Sequence, residues 1–126
     1  MRILVCGGRD YDDWKAVYAA LDRLHAERGI TLIIHGACQQ KGMLAGADRW
    51  AEKWAQDREV PYVGVPARWA EGGNKAGPER NARMLNEWRP DGVMAFPGGR
   101  GTNDMKVKAK AAGMTPWEPV KAGEGR

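Results

Sequence analysis

Residues 93–102 read VMAFPGGRGT, an apolar run that passes through a glycine-rich loop into the start of a helical pattern. Three other short runs, at residues 3–6, 32–34 and 62–65, have the same continuously apolar character. Continuous rather than alternating runs are typical of strands that are buried on both faces. They predict a parallel sheet that is covered by helices.

Four amphipathic patterns with helical spacing follow these four runs. Start signals for helices are Asp12 or Asp13, Pro78 and Thr102, the last as an N-cap, and Gly29 is a stop signal. Pro116 and Pro119 predict that the last segment is an edge strand or a tail.

The alternation predicts an α/β fold, because crossovers between parallel strands carry helices and are right-handed. We expect a single Rossmann-like three-layer sandwich with a parallel sheet of about five strands. It would span residues 1–120, with a flexible C-terminal tail at residues 121–126.

Composition bounds the class of protein. The chain has 126 residues, a net charge of +4 and only two cysteines. It is the size of one domain, and the cysteines are too few for a disulfide scaffold or a zinc module. No apolar run approaches a membrane span, and the N-terminal run is too short for a secretion signal. We therefore expect a cytoplasmic protein with reduced thiols and no membrane partner.

Candidate site residues follow from a rule for such sheets: ligands bind outside the carboxyl ends of the strands. The loops at that edge are rich in glycine and carry a few charged and aromatic side chains. The candidates for ligand binding are Gly7, Gly8, Arg9 and Asp10 after the first run; His35, Gly36, Ala37, Gly46 and Asp48 after the second; Trp69 after the third; and Pro97, Gly98, Gly99, Arg100, Gly101 and Thr102 after the fourth.

The loop at residues 97–102 is the sharpest of these features. Three glycines allow backbone N–H groups to approach a ligand, and the helix that follows attracts anions at its N-terminus. The loop lacks the lysine of a Walker motif, and the first loop, GGRD, lacks the dinucleotide fingerprint. These features predict a phosphate-binding loop of another kind, the alternative being a tight turn with no ligand.

A second motif, GPERNARM at residues 77–84, places Arg80 and Asn81 near the start of the third predicted helix. A guanidinium there suits a phosphate or a carboxylate, since it can donate two parallel hydrogen bonds. Trp69 is a candidate to stack on a base, or alternatively to anchor its loop. His35 is equally suited to bond a ligand or to be satisfied within the protein.

The motifs GGRD, HGA with GAD, AGPERNARM and AFPGGRGT together resemble the YspA/YpsA-related SLOG family. That family belongs to a superfamily of Rossmann-like domains with the Smf/DprA proteins and the LOG phosphoribohydrolases. The resemblance covers roughly residues 1–117. It implies binding of a nucleotide or a nucleotide-derived small molecule, as a sensor or binding module that requires no cofactor.

The resemblance also implies two alternatives, hydrolysis of a nucleotide N-glycosidic bond and DprA-like binding of single-stranded DNA. In the first, Arg80 takes the arginine position of the LOG pattern and is a candidate catalytic residue. The glutamate position falls on Met105, so Asp104 is the candidate carboxylate, with Asp48 and Asp10 as alternatives. No spacing suggests a metal site, and the second predicted helix, with Trp50 and Trp54, is the candidate face of a homodimer.

Overall fold

The structure is a computed structural model that describes residues 1–120, so the predicted tail at residues 121–126 lies outside the described part. Strands and helices alternate along the chain. The strands are β1 Arg2–Cys6, β2 Leu32–His35, β3 Gln39–Gln40, β4 Met43–Leu44, β5 Tyr62–Gly64 and β6 Gly92–Ala95. The helices are α1 Trp14–Arg28, α2 Gly46–Asp57, α3 Trp69–Gly72, a 3-10 turn Gly73–Lys75, α4 Ala76–Trp88 and α5 Arg100–Ala111.

The main sheet has four parallel strands in the order β5-β2-β1-β6. From β1 the chain first moves outward to β2 and β5, and it then crosses back to place β6 on the other side of β1. The strand order therefore reverses between β1 and β6. Sheets of this kind bind ligands at such a switch point.

A fifth position of the sheet is occupied by a single residue. Trp117 forms an isolated parallel bridge with Met94, in which its N–H donates to Val93 O at 2.8 Å and its carbonyl accepts from Ala95 N at 2.7 Å. Pro116 lacks an N–H, so a longer ladder would lose a hydrogen bond there. The sheet of about five strands is thus four strands plus this bridge.

The alternating faces of β1 show how the three layers form. Ile3 and Val5 pack into an apolar cluster with α1 and α2, while Leu4 and Cys6 pack into a second cluster with α4 and α5. Both faces of the central strands are buried. Residues 3–6 of β1 and 32–34 of β2 are accordingly all apolar, rather than apolar at every second position.

The tryptophans of α2 pack against α1 of the same chain. Trp54 is fully buried and donates its indole N–H to Asp22 of α1 at 2.8 Å, and Trp50 packs at the edge of the same cluster. The ring of Trp14, which is 44% exposed, lies 6.5 Å from that of Trp50. The face of α2 expected to join two protomers is therefore largely engaged within one chain.

Two helices begin earlier than their sequence signals. α4 begins at Ala76 rather than Pro78, and α5 begins at Arg100 with Gly99 as its N-cap, so the prediction of Thr102 as an N-cap is wrong. Thr102 is instead buried in the first turn of α5. Its side chain faces Gly98, where an added Cβ would lie 2.9 Å from Thr102 Cβ.

Loops that the sequence left irregular contain small elements. β3 and β4 form an exposed antiparallel hairpin between β2 and α2, and α3 and the 3-10 turn fill the connection from β5 to α4. No helix of the described part of the chain is long and apolar enough to cross a membrane.

Candidate functional site

A cleft of about 740 Å³ opens at the switch point, between the loops that follow β1 and β6 and beneath α4. Its wall combines backbone at glycines with three arginines and three aspartates. The lining residues are Cys6, Gly7, Gly8, Arg9, Asp10, Gly36, Cys38, Asp48, Trp69, Asn74, Gly77, Pro78, Arg80, Asn81, Met84, Gly99, Arg100, Gly101, Thr102 and Asp104.

Close backbone approach joins the loop after β1 to its neighbours. The Gly8 N–H donates to Pro97 O at 2.8 Å, and Gly8 O accepts from Ala47 N of α2 at 3.2 Å. Gly46, at φ +66°, lies so close to this loop that an added Cβ would lie 2.5 Å from Arg9 Cα. The glycines at positions 8 and 46 thus serve loop packing.

The N-terminus of α5 presents unused donors to the cleft. The first backbone hydrogen bond of the helix runs from Asn103 N to Gly99 O, and no side chain caps the start. The N–H groups of residues 100–102 therefore lack a partner among residues 1–120. Added Cβ atoms at Gly99 and Gly101 would meet nothing within 4 Å, so this wall is open to a ligand.

Arg80 of α4 is 7% exposed and lines the cleft. Its Nη1 donates to Gly36 O, and its Nε donates to Asn81 Oδ1 at 2.9 Å. These bonds leave Nη2 without a partner among the described residues. A buried guanidinium with a free amino group is a strong binding element for an anion, because burial reduces solvent screening of its charge.

Asn81 links α4 to the start of α5. Its Nδ2 donates to Gly101 O at 3.1 Å and to Asp104 Oδ2 at 3.0 Å, while Lys108 Nζ lies 2.5 Å from Asp104 Oδ1. Burial alone would raise the pKa of Asp104. The hydrogen bonds from Lys108 and Asn81, with the charges of Lys108 and Arg80, outweigh that and lower it. Asp104 is therefore an ionised carboxylate that already has two partners.

Met105, at the glutamate position of the LOG pattern, is fully buried in the apolar cluster that includes Cys6 and Met84. Only its neighbour Asp104 reaches the cleft. If the chain hydrolyses a glycosidic bond, Asp104 is thus better placed than position 105 to act.

The two thiols of the cleft are protonated at neutral pH. Burial and the nearby Asp48 raise the pKa of Cys6 to about 12 and that of Cys38 to about 11. The thiolate is the nucleophilic form of cysteine, so neither residue is an activated nucleophile. Asp48 also accepts the Cys38 N–H at 3.0 Å, which holds the end of the hairpin against α2.

Trp69 is 55% exposed at the rim of the cleft. Its ring edge lies 3.3 Å from the position of a Cβ added at Gly77, so the indole covers the start of α4. The rest of its surface is free, and the residue is placed to contact a flat group bound in the cleft.

The structure brings most of the predicted site residues together. Those that line the cleft are Gly7, Gly8, Arg9, Asp10, Gly36, Asp48, Trp69, Arg80, Asn81, Gly99, Arg100, Gly101, Thr102 and Asp104. His35, Ala37, Gly46, Pro97 and Gly98 do not line it. His35 is 1% exposed and bonded to Glu52, and the other four shape the backbone beside the cleft.

Sequence reasoning missed several lining residues: Cys6, Cys38, Asn74, Gly77, Pro78 and Met84. Cys6 ends β1 and Cys38 lies shortly after β2, so both lie at the carboxyl edge of the sheet, where a ligand is expected. Both cysteines were expected only to be reduced thiols, and no place in the wall of the site was predicted for them. Among residues 1–120, no three His, Cys, Asp or Glu side chains are grouped to hold a metal ion.

The parallel sheet with its switch-point cleft defines a Rossmann-like domain. A solved structure of MurG from Acinetobacter baumannii has the same fold, with a TM-score of 0.55 at 15% identity. The match covers 93% of this chain but only 33% of the MurG chain, so this chain spans about a third of that protein's length.

The chain belongs to the YspA, cpYpsA-related SLOG family, whose family model matches residues 1–72. Membership suggests binding of nucleotide ligands in general. The match includes the loops after β1 and β2, while Arg80 and α5 lie beyond it. The comparison with curated proteins gives no match.

Proposed function

We propose that the cleft binds a nucleotide or nucleotide-derived small molecule, with a phosphate at the N-terminus of α5 and the base toward Trp69. The observation that carries this proposal is the pairing of unused N–H groups at residues 100–102 with the buried Arg80, whose Nη2 is free among the described residues. The chain would act as a sensor or binding module without a required cofactor.

The phosphate end rests on charge and geometry. A helix N-terminus carries partial positive charge and free donors, and both favour a phosphate. Arg80 adds a full charge in a site with little solvent screening, and Arg9 and Arg100 add charge at the more exposed part of the wall. The open space at Gly99 and Gly101 lets phosphate oxygens approach the backbone.

The remainder of the cleft suits a nucleoside. Asp10 and Asp48 line it and are acceptors for ribose hydroxyls, and Trp69 supplies an aromatic surface for a base. A volume of about 740 Å³ lies in the range of small-molecule sites and exceeds the need of a lone phosphate.

Ligand-induced stabilisation tests the proposal. Inorganic phosphate, adenosine and the nucleoside mono- and diphosphates are compared by thermal melting and calorimetry, with a single-stranded oligonucleotide as the alternative ligand. A nucleotide at about 100 times its Kd raises the free energy of unfolding by about 2.7 kcal/mol. Free base is assayed in parallel, because the ionised Asp104 in the cleft favours N-glycosidic hydrolysis as the second candidate function.

The matched variants are Gly101→Val and Ala111→Val, at the two ends of α5. A Cβ added at Gly101 would meet no atom of a neighbouring element within 4 Å, so we expect valine to be accommodated there and to crowd the phosphate position, whereas Ala111 is exposed and outside the cleft. We expect Gly101→Val to abolish the nucleotide-induced rise in Tm and Ala111→Val to retain it. A wild-type protein that no nucleotide stabilises, or a Gly101→Val variant that still responds, contradicts the proposal.

A further inference from the structure

His35 was expected at the ligand, yet it is enclosed beside the cleft with both ring nitrogens bonded. Nε2 lies 2.9 Å from Glu52 Oε1, and Nδ1 lies 3.0 Å from the backbone N of Ala37. A backbone N–H can only donate, so Nδ1 is the unprotonated nitrogen. Nε2 therefore carries the ring proton and donates a hydrogen bond to Glu52. The two partners therefore fix one tautomer and one ring orientation.

The turn that His35 holds is in a costly conformation. Ala37 has φ +51°, in the left-handed region that residues with a Cβ rarely adopt. Strained residues of this kind persist where surrounding contacts hold them, and they cluster at functional sites. The bond from the Ala37 N–H to His35 is one such contact, and it sets the orientation of the peptides at residues 36 and 37.

The Gly36–Ala37 turn also contacts Arg80. Gly36 O accepts from Arg80 Nη1, and a Cβ at Gly36 would lie 2.8 Å from Arg80 Cζ, so the guanidinium packs directly on this backbone. Arg80 Nε continues the chain of hydrogen bonds to Asn81, whose amide reaches Gly101 O. The bonded series thus runs from Glu52 of α2 to the first turn of α5.

We propose that His35, with Glu52, is a positioning residue that fixes the Gly36–Ala37 turn and thereby aims the guanidinium of Arg80 at the bound phosphate. The proposal rests on the proposed function for its ligand, but the geometry that it describes exists in the free protein. It accounts for a polar pair placed at a strand end where an apolar side chain would avoid the cost of burying polar groups.

Two substitutions separate the two bonds of the ring. In His35→Asn the amide oxygen takes the place of Nδ1 and still accepts the Ala37 N–H. In His35→Gln the amide lies at the place of Nε2, which retains the contact with Glu52 and leaves the Ala37 N–H without an acceptor. His25→Gln is the matched control, since His25 Nδ1 also accepts a backbone N–H, that of Ile30, on a helix away from the cleft.

The direct readout is the Arg80 Nε–H resonance of the ligand-free protein in a proton–nitrogen NMR spectrum, assigned by its absence in Arg80→Lys. We expect His35→Gln to shift or broaden this resonance and His35→Asn to preserve it. His25→Gln should lower Tm but leave the Arg80 resonance at its wild-type position. Glu52→Ala, at a side chain that is 26% exposed, removes the contact that fixes the tautomer and orientation of the His35 ring, whereas the short amide of His35→Asn does not depend on that contact. Glu52→Ala should therefore shift the Arg80 resonance in the same direction as His35→Gln, and it covers the case that His35→Gln does not fold.

The second readout is the affinity for AMP. His35→Gln should weaken AMP binding about ten-fold, the scale of one charge-assisted hydrogen bond, while His35→Asn restores it to within about two-fold of the wild type. The positioning role is overturned if the Arg80 resonance is unchanged in both His35→Gln and Glu52→Ala. It is also overturned if the His35→Asn and His35→Gln variants lose the same AMP affinity, and if each loss follows the fall in Tm. If wild-type protein does not bind AMP, the proposed function fails for this ligand, and the resonance alone decides the positioning role.

Discussion

At the scale of single residues, the cleft owes its chemistry to what each side chain is buried beside. Cys38 lies at the wall of the cleft, where burial and then the charge of Asp48 raise the pKa of its thiol to about 11. A cysteine with an ordinary pKa of about 8.5 is partly ionised at mild alkaline pH. The same thiol in this cleft remains protonated, so it acts as a wall residue rather than a reagent.

Alkylation measures this effect directly. At about pH 8, a shift of the pKa from about 8.5 to about 11 reduces the thiolate fraction of Cys38 by about two orders of magnitude, and the rate with iodoacetamide falls accordingly. Asp48→Asn should lower the pKa of Cys38 and speed the reaction, because it removes the nearby negative charge and retains a hydrogen-bond acceptor. Peptide mass spectrometry follows each cysteine separately.

Asp10→Asn is the control, since Asp10 also lines the cleft but is not among the main causes of the shift at Cys38. If both variants speed the alkylation of Cys38 equally, the charge of Asp48 is not the specific cause of the raised pKa. Reaction of wild-type Cys38 at the rate of a free thiol would contradict the raised pKa itself.

Residue types alone distinguish poorly between contact with a ligand and contact within the protein. Arg80 and His35 both lie at the predicted edge of the sheet, yet Arg80 lines the cleft and His35 is enclosed behind it. The difference arises because Glu52, one helix away, provides a partner for His35. No local pattern in the sequence states which side chain has such a partner.

At the scale of elements, α5 carries the phosphate end of the proposed site, and its N-cap, Gly99, lies three residues before the predicted cap at Thr102. Thr102 is a good N-cap residue by type, and the sequence signal favoured it. The helix instead starts at Arg100, and Thr102 is buried in its first turn against Gly98, where its side chain does not cap the helix. The result is an uncapped helix start that faces the cleft.

The pair of Asp104 and Lys108 on α5 gives a prediction with a definite pH dependence. The pKa of Asp104 is lower in the folded chain, so its stabilisation is present above the unfolded value of about 3.9 and is lost as pH falls through the folded value. Lys108→Met should lower the free energy of unfolding by about 0.5 kcal/mol near neutral pH. Urea denaturation at a series of pH values should show the difference shrinking as pH falls below the unfolded pKa of Asp104, and vanishing once the folded carboxyl is protonated.

Lys110→Met is the control for hydrophobicity and helix propensity, because Lys110 is exposed on the same helix. Its effect should be small and should not change with pH. A Lys108→Met effect of the same size at acid and neutral pH would mean that packing, and not the charge of Asp104, is responsible.

At the scale of the whole molecule, the sheet is closed on its β6 side by one residue. Trp117 bonds to the backbone of β6 through both its N–H and its carbonyl, and its ring covers Gly92, where an added Cβ would lie 2.8 Å from the indole. An uncovered edge strand is a site for pairing with other chains. The segment after α5 therefore protects the outer edge of β6, the strand that leads into the cleft loop at residues 97–102.

Trp117→Ala removes the ring that anchors this segment over Gly92, so the backbone pairing of residue 117 with β6 should loosen. We expect a loss of about 1–2 kcal/mol in the free energy of unfolding, since the ring is only partly buried, together with increased self-association. Thermal melting and sedimentation measure the two effects. Trp69→Ala is the control, because Trp69 is the more exposed tryptophan, at 55% against 39%, and should change stability little. Equal losses in both variants would argue against a special role for the β6 edge.

The sequence by itself determined the order of strands and helices, the parallel sheet and the edge at which charged and glycine-rich loops gather. These follow from local periodicity and from the restricted ways in which strands, crossovers and helices pack. Most of the cleft wall was predictable for the same reason, since residues such as Gly7 and Gly8 directly follow a strand in the chain.

Only the tertiary structure decided which of those residues face the cleft, and with what charge and geometry. The enclosure of His35 by Glu52 and the buried position of Met105 depend on neighbours from other elements, and the ionised state of Asp104 depends on Asn81 and Arg80 of α4 as well as on Lys108 of its own helix. Burial and hydrogen-bond partners are set by distances in space. Residues far apart in the chain supply them, so a reading along the chain finds the edge of the site but not its chemistry.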